Sequence, residues 1–356
     1  MGNAAGHMGH MLISDVELDS VWYSGLAVLP SGRVMVADYG AHAIYMLENQ
    51  DDGAWVRRTI AGNNGAGHEN GDAMQAKFNH PVSLAVLPTR PGAEHDRVLV
   101  VDQRNNCIRM LTQREDESWR VATVAGAALD PEQQFNNPSS VAVLSDGRVL
   151  VADTGHHRIA LISDDLTTVS TIAGSPRGFP GYKVHFSAQF NFPHGIAVLS
   201  DDRVLVADFG NESIRMLKSI AGEGWIVSTI AGDSSTGVDT AAKDNDDALK
   251  AQFQRPRDIF KLRDGRVLVS DFTGIRVLTK GDEDSWSVST LFDPDRFLVY
   301  SDKCVAFAQL QNGRVLVGIN TKLYELNPRP SPEDDGERVS VHTLSSLTAT
   351  SGPLKW

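Results

Sequence analysis

A six-residue segment, Arg148–Asp153 (RVLVAD), recurs along the chain and constrains the fold more than any other feature. Similar segments occur at five further places, the last without its aspartate: Arg33–Asp38, Arg97–Asp102, Arg203–Asp208, Arg266–Asp271 and Arg314–Ile319. Their starts lie 64, 51, 55, 63 and 48 residues apart, so one unit of about fifty residues is repeated. Repeats of this length are typical of propellers, solenoids and arrays.

Each unit predicts four short strands. In the fourth unit they are Gly195–Leu199, Arg203–Asp208, Ser213–Leu217 and Trp225–Gly232, all rich in Val, Ile and Leu and bounded by Gly, Asp or Asn. Asp-Gly or Asp-Asp stands between the first two strands of several units, and these residues favour the tight turn of a β-hairpin. Four strands joined in this way form an antiparallel meander.

The second strand of each unit is apolar on both faces. In the third unit, Val149 and Val151 point to one face while Leu150 and Ala152 point to the other. A sheet with one face in water would alternate apolar with polar residues, so each meander must lie between two neighbours. We therefore predict an all-β fold, a six-bladed β-propeller of four-stranded antiparallel blades with Leu150 and Val151 buried.

The repeats predict one propeller domain over residues 13–347, with a disordered tail at 1–12 and a second tail at 348–356. The blades are expected at about 20–62, 78–126, 135–174, 190–232, 253–293 and 302–347. Residues 11–18 could add a strand that closes the ring against the sixth blade. The alternative is closure by packing alone.

The rest of the composition predicts a soluble, cytoplasmic protein. No apolar run approaches the ~18 residues that a membrane helix needs, and the start of the chain lacks the features of a secretory signal. Cys107 and Cys304 fall in different blades, which favours free thiols in a reducing compartment. Gly2 followed by small residues suggests N-myristoylation, while the repeated Gly-His-Met suggests residues left by cloning.

Several aligned positions carry the same residue type in most repeats. We call each such set of aligned residues a column, and each column has a structural interpretation. The aspartates that end the second strands are expected to cap turns rather than to form a carboxylate ring. Arg109, Arg215 and Arg276 of the third strands are expected to pair with neighbouring groups. The tryptophans that open four outermost strands are expected to shield those edges. These columns comprise Asp38, Asp102, Asp153, Asp208 and Asp271, and Trp55, Trp119, Trp225 and Trp286.

Four blades begin with a Phe-x-x-Pro motif, as in Phe190–Pro193, in which the phenylalanine is expected to fill the crevice between blades. Gly-Ile-Ala-Val, Val-Ala-Asp and a segment such as Gly155–Ile159 (GHHRI) follow it. With these motifs, residues 20–345 resemble the NHL-repeat family. The resemblance implies the propeller fold but no single activity, because NHL propellers include RNA binders, protein-interaction scaffolds, extracellular sensors and a lyase.

Charge and ligand patterns narrow the function. With 45 acidic and 33 basic residues the net charge is −12, which opposes nucleic-acid binding. The adjacent His156 and His157 point apart, and the acidic loop 244–247 lacks the glycine and glutamate of a calcium loop. We therefore predict no metal site and no cofactor.

One column at the start of the inner strands favours an anion site. It reads Ser24, Val82, Ser139, His194, Arg257 and Lys303. In the NHL-like peptidylglycine-amidating lyase, zinc-binding histidines occupy comparable positions, and only His194 matches here. His194, Arg257 and Lys303 fall in consecutive blades, with Ser24 next round the ring, so these potential cations predict that an anion binds at the channel mouth.

The sequence thus predicts a binding or scaffolding module that engages a protein partner or a small anion through its loop-rich face. The long inter-blade loops, Asn63–Lys77 and Asp233–Gln252, and the turns between second and third strands are expected to share this face. Shortening these loops is expected to change stability little. The alternative function is a metal-dependent lyase or hydrolase with its site in the central funnel.

Overall fold

The structure is a computed structural model that describes residues 21–49, 55–62, 64–88, 95–126, 134–174, 188–232, 243–292, 305–327, 340–343 and 347–349. Within these ranges the chain is all-β and contains no α-helix. Its strands form six four-stranded antiparallel meanders, two of which carry a fifth strand. The predicted six-bladed β-propeller is confirmed.

The strands follow the repeats in order. Blades 1 to 3 contain β1 (Tyr23–Val28), β2 (Val34–Asp38), β3 (Ala43–Asn49), β4 (Trp55–Gly62); β5 (Gly71–Asp72), β6 (Pro81–Val86), β7 (Arg97–Asp102), β8 (Cys107–Gln113), β9 (Trp119–Gly126); β10 (Ser140–Val143), β11 (Val149–Asp153), β12 (Arg158–Ile162) and β13 (Val169–Gly174). Blades 4 to 6 contain β14 (Pro193–Val198), β15 (Val204–Asp208), β16 (Ser213–Ile220), β17 (Gly224–Ala231); β18 (Ile259–Lys261), β19 (Val267–Asp271), β20 (Gly274–Lys280), β21 (Trp286–Phe292); β22 (Val305–Gln309), β23 (Val315–Ile319), β24 (Lys322–Asn327) and β25 (Ser340–Thr343). A short strand, β26 (Leu347–Ala349), follows. Single turns of 3-10 helix occur at Gln103–Asn105, Thr154–His156, Phe209–Asn211, Ala248–Lys250 and Asp282–Asp284.

The second strand of each blade is buried on both faces, as its sequence predicts. Leu150 and Val151 of β11 are both fully buried. Leu150 packs in one cluster with Phe190 and Val204 of blade 4, while Val151 packs in another with Leu99 of blade 2. The core is therefore a series of apolar layers between neighbouring blades.

Two long inter-blade loops are part of this architecture, contrary to the expectation that they can be shortened freely. The segment before blade 2 adds β5 to the outer strand β9, and Asn245 before blade 5 bridges to Val288 of β21. Ala76 and Ala251 of these segments are fully buried. The Asp244 carboxylate accepts hydrogen bonds from Arg276 and Thr290, so this loop is anchored and is not merely solvated.

The end of the described chain lies on the first blade. Strand β26 runs parallel to β4, with Leu347 opposite Trp55 and Ala349 opposite Arg57. Thr348 and Ala349, which the sequence analysis placed in a tail, thus join the outer edge of blade 1. The segments 1–12 and 11–18 and Cys304 lie outside the described residues.

Candidate functional site

The column aspartates are structural; in blades 1 and 5 they accept hydrogen bonds from N–H groups of the following turn, as predicted, whereas in blades 2 to 4 they do not cap the N–H groups of that turn and bind other groups instead. In blade 2, Asp102 Oδ1 accepts a hydrogen bond of 2.7 Å from the Asn79 N–H, and Asp102 Oδ2 lies 2.7 Å from Arg109 Nη1. In blade 4, Asp208 accepts from the Asn191 N–H at 2.8 Å and pairs with Arg215 at 2.9 Å. Each carboxylate thus joins its second strand to the Phe-x-x-Pro motif of the same blade.

The arginines of these pairs also lie over the phenylalanines that open the Phe-x-x-Pro motifs. The guanidinium carbon of Arg109 is 5.1 Å from the ring centroid of Phe78, and that of Arg276 is 5.2 Å from the ring centroid of Phe253. Both rings are buried between blades, which confirms the interpretation of the Phe column. Trp119 and Trp286, which open β9 and β21, are also buried.

Residues with left-handed backbone link consecutive blades at one end of the ring. His42 Nδ1 accepts a hydrogen bond of 3.0 Å from the His80 N–H, and His157 Nδ1 accepts one of 3.0 Å from the Phe192 N–H. Asn106 makes the equivalent bond through its amide oxygen. An accepting Nδ1 places the ring proton on Nε2, so the Nε2 atoms of these two histidines cannot ligate a metal in this arrangement.

The other candidate metal ligands are engaged in a similar way. His156 Nδ1 lies 2.9 Å from the Asp153 carboxylate, away from His157. Cys107 is a buried free thiol whose pKa is raised by burial. In the described ranges no three His, Cys, Asp or Glu side chains are grouped as metal ligands.

The turns between second and third strands lie on the same face as the starts of the inner strands. The N–H groups of Arg104, Gly155 and Gly210 donate to backbone carbonyls of the Phe-x-x-Pro motifs, at 3.0 Å, 2.8 Å and 2.7 Å. This face surrounds one end of a central cavity of about 930 Å³, lined by the inner strands of all six blades. We call this end the channel mouth; it comprises Trp22, Ser24, Tyr39, Gln103, Arg104, Asn137, Ser139, His194 and Arg257.

Three of the four predicted anion-site residues line this cavity, and Lys303 lies outside the described residues. The Ser24 hydroxyl is occupied by carbonyls: it is 2.9 Å from Ala37 O and 2.7 Å from Pro81 O. One of these acceptors belongs to blade 1 and the other to blade 2. Ser24 therefore fastens two blades together.

His194 is neutral at pH 7, which corrects its assignment as a cation. Burial, with a contribution from the Arg257 charge, lowers the pKa of its imidazole to about 3. Its ring lies 5.0 Å from that of Phe209. Of the three predicted cations, only Arg257 is thus both described and charged.

Arg257 is held against aromatic rings that the sequence analysis did not single out. Its guanidinium carbon is 5.5 Å from the ring centroid of Phe209 and 5.4 Å from that of Phe272, within the range of cation–π contacts. Each phenylalanine directly follows the column aspartate of its blade. The signal was present in the sequence, because this position is aromatic in blades 1, 4 and 5, with Tyr39 in blade 1.

Asp258 is the acidic side chain in the described wall of the cavity. Burial raises the pKa of its carboxyl to about 7. Its Oδ1 accepts a hydrogen bond of 3.0 Å from the Ile259 N–H. The cavity wall therefore combines a fixed guanidinium, a neutral imidazole and a carboxyl whose pKa lies near neutrality.

The mouth is cationic although the whole chain is acidic. Arg104 and Arg257 line it, whereas the column aspartates Asp102 and Asp208 of the same face are buried and paired with arginines. On the opposite face the hairpin charges neutralise one another in pairs such as Arg148–Asp146 and Arg266–Asp264.

Fold and repeats together define a β-propeller that carries NHL repeats. The NHL repeat model matches residues 135–160 and 190–215, which run from the Phe-x-x-Pro motif into the third strand of blades 3 and 4. The resemblance seen in the sequence is thereby confirmed. In the part of the chain that the structure describes, no helix is long and apolar enough to span a membrane.

Curated relatives share part of this sequence. NHL repeat-containing protein 2 of Gallus gallus is 37% identical over 103 residues, which are 29% of this chain and 14% of that protein. Protein SUPPRESSOR OF QUENCHING 1, chloroplastic, of Arabidopsis thaliana is 26% identical over 207 residues, which are 54% of this chain and 19% of that protein. The chain thus matches less than a fifth of the length of each relative.

Solved structures share the fold. A gluconolactonase from Xanthomonas campestris superposes with a TM-score of 0.56 at 12% identity, over 87% of this chain and 86% of that one. Virginiamycin B lyase from Staphylococcus aureus superposes with a TM-score of 0.51 at 13% identity, over 92% and 93%. At such identities the likeness concerns architecture alone.

Proposed function

We propose that this propeller is a binding module that holds an anionic group of its ligand or partner protein at the channel mouth. The observation that carries the proposal is the placement of Arg257, whose guanidinium is fixed against two phenyl rings above an open cavity. An arginine fixed in advance loses little conformational freedom when it forms a two-pronged contact with a carboxylate or phosphate.

The charge distribution supports the same function. A protein with a net charge of −12 repels anions overall, so an anionic ligand needs a local cationic site. Arg104 and Arg257, which line the mouth, provide one. The predicted contribution of Lys303, in the neighbouring blade, remains part of this proposal.

Calorimetric titration with phosphate, sulfate and acetate tests the function. We expect measurable binding, which Arg257→Ala combined with Lys303→Ala abolishes while thermal unfolding stays cooperative. Arg266→Ala on the opposite face is the control and should bind as the wild type does. Absence of anion binding by the wild-type protein would refute the proposal.

The alternative, a metal-dependent lyase or hydrolase, has less support, since two of the described histidines, His42 and His157, accept hydrogen bonds at Nδ1 and so carry the ring proton on Nε2. Metal analysis of the purified protein separates the two functions. Stoichiometric zinc or calcium would favour the enzyme.

A further inference from the structure

The wall of the central cavity changes character along the channel. The inner strands all start at the mouth, so the polar side chains Ser24, Ser139 and His194 lie at that end. Towards the opposite end the strands continue with apolar residues such as Val143 and Val198, except in blade 5, which carries Lys261 at the same position. The cavity is therefore polar and cationic at the mouth and mainly apolar below it, with Asp258 and Lys261 of blade 5 as the charged exceptions.

Small residues keep the apolar part open. At the level just before Val143 and Val198, blades 2, 3, 4 and 6 carry Ala85, Ala142, Ala197 and Ala306, of which the last two are buried, and blade 5 carries Phe260. The ring of Phe260 lies 6.3 Å from that of Phe307, so aromatic side chains cover one side of the wall. Ala85 and Ala142 are only half-buried, so space remains in front of them.

We propose that the cavity binds an amphipathic carboxylate, whose apolar body lies along the lower wall while its carboxylate contacts the Arg257 guanidinium. This inference rests on the proposed function, because it names the class of ligand for the same mouth. A bare anion would use the cationic mouth only. An apolar chain attached to the anion also removes wall and ligand surface from water, at about 25 cal/mol per Å².

Lys261 offers a rival position for the carboxylate. It lies at the opposite end of the described wall, three residues beyond Asp258 along the chain. Its ammonium is a flexible point charge, whereas Arg257 is held by two rings and presents a planar fork that matches a carboxylate. The geometry therefore favours the mouth.

Protonation of the wall adds a second expectation. The described ionisable groups that line the cavity are Tyr39, Arg104, His194, Arg257, Asp258 and Lys261. The Asp258 carboxyl, whose pKa burial raises to about 7, loses its negative charge as the pH falls below neutrality. His194, with a pKa of about 3, stays neutral over the same range. Carboxylate affinity should therefore increase between pH 8 and pH 6.

Four probes of the full chain test the ligand class by calorimetry: octanoate, acetate, octanol and octylamine. We expect octanoate to bind about tenfold or more tightly than acetate, because its longer chain is buried. Octanol should bind more weakly than octanoate, and octylamine should bind least. If octanoate bound no better than acetate while acetate and phosphate still bound, this inference would fail and the proposed function would stand. If none of the anions bound, both would fail.

Matched variants locate the two parts of the ligand. Arg257→Gln should lower octanoate affinity about tenfold or more and leave octanol affinity unchanged, because only the charged contact is lost. Ala142→Trp should weaken both ligands by filling the lower cavity, and Ala85→Trp provides the same test from another blade if the first variant does not fold. Lys261→Gln is the control. Loss of octanoate binding in Lys261→Gln, with binding retained in Arg257→Gln, would overturn the proposal.

Discussion

Asp208 and Arg215 form an ion pair of 2.9 Å in which both side chains are fully buried. The aspartate also accepts a hydrogen bond from the Asn191 N–H, so one carboxylate joins the Phe-x-x-Pro motif, the second strand and the third strand of blade 4. Removing one partner of such a pair leaves an uncompensated charge away from water. The pair is a structural joint of the blade.

We expect Arg215→Met to destabilise the protein by about 3–5 kcal/mol, because Asp208 then stays buried without its partner. The control is Arg266→Met, which breaks the exposed pair with Asp264 and should cost less than about 1 kcal/mol. Urea unfolding of both variants measures the difference. Equal costs would show that burial of the Asp208 pair is energetically unimportant.

The layers between blades predict a second difference. Leu150→Ala should reduce the free energy of unfolding by about 2–5 kcal/mol, since it opens a cavity between blades 3 and 4. Leu249, which is 53% exposed, provides the control, and Leu249→Ala should change stability by less than about 0.5 kcal/mol. A small effect at Leu150 would contradict the packing of β11 between two blades.

The blades could be predicted from the sequence because the repeats report them directly. Val151 and Leu150 are apolar on opposite faces, and only a strand between two neighbours buries both. The loops were harder to predict, since the pairing of Asn245 with Val288 joins residues 43 positions apart that no local pattern connects. Loop length alone had suggested that these segments are dispensable.

The candidate site could be predicted only in part. Arg257 was found because its column is visible in the aligned repeats. The neutrality of His194 could not be foreseen, because it results from burial beside Arg257 in three dimensions. Phe209 and Phe272 were missed since an aromatic residue after the aspartate has no chemical meaning until Arg257 is seen against it.

The anchored loops lead to a third prediction. Ala76→Asp should destabilise the protein by about 3 kcal/mol, because it places a charge in a fully buried site between the loop and blade 2. Met74, two residues earlier, is 57% exposed, and Met74→Asp should be nearly neutral. Thermal or urea unfolding compares them. A tolerated Ala76→Asp would restore the view that this loop is dispensable.

Histidine links between blades make stability depend on pH. Burial, followed by the neighbouring His156, lowers the pKa of His157 in the folded protein. The unfolded chain therefore takes up a proton below about pH 6.5 that the folded His157 resists, so stability falls as the pH decreases through that region. His157→Asn should remove this part of the pH dependence, because Asn106 already makes the same bond in the preceding blade. Unfolding free energies at pH 8 and pH 5.5 test the expectation, and an unchanged difference in His157→Asn would contradict it.

Gly195 connects the fold to the candidate site. A Cβ atom at this position would lie 2.6 Å from Arg257 O and 3.0 Å from Asp258 Cα, because the inner strands of blades 4 and 5 pass closest here. Gly195→Ala should push the start of the blade 5 strand away and displace Arg257, which weakens anion binding about tenfold or more and also lowers stability, because the clash is with backbone atoms. Gly25 is the matched control: its Cβ would lie 3.0 Å from Ser83 Cα at the seam of blades 1 and 2. Gly25→Ala should cost less stability, because its nearest contacts are longer, and leave anion affinity unchanged. Equal losses of affinity in the two variants would mean that the mouth responds to general loosening of the ring rather than to the position of Arg257.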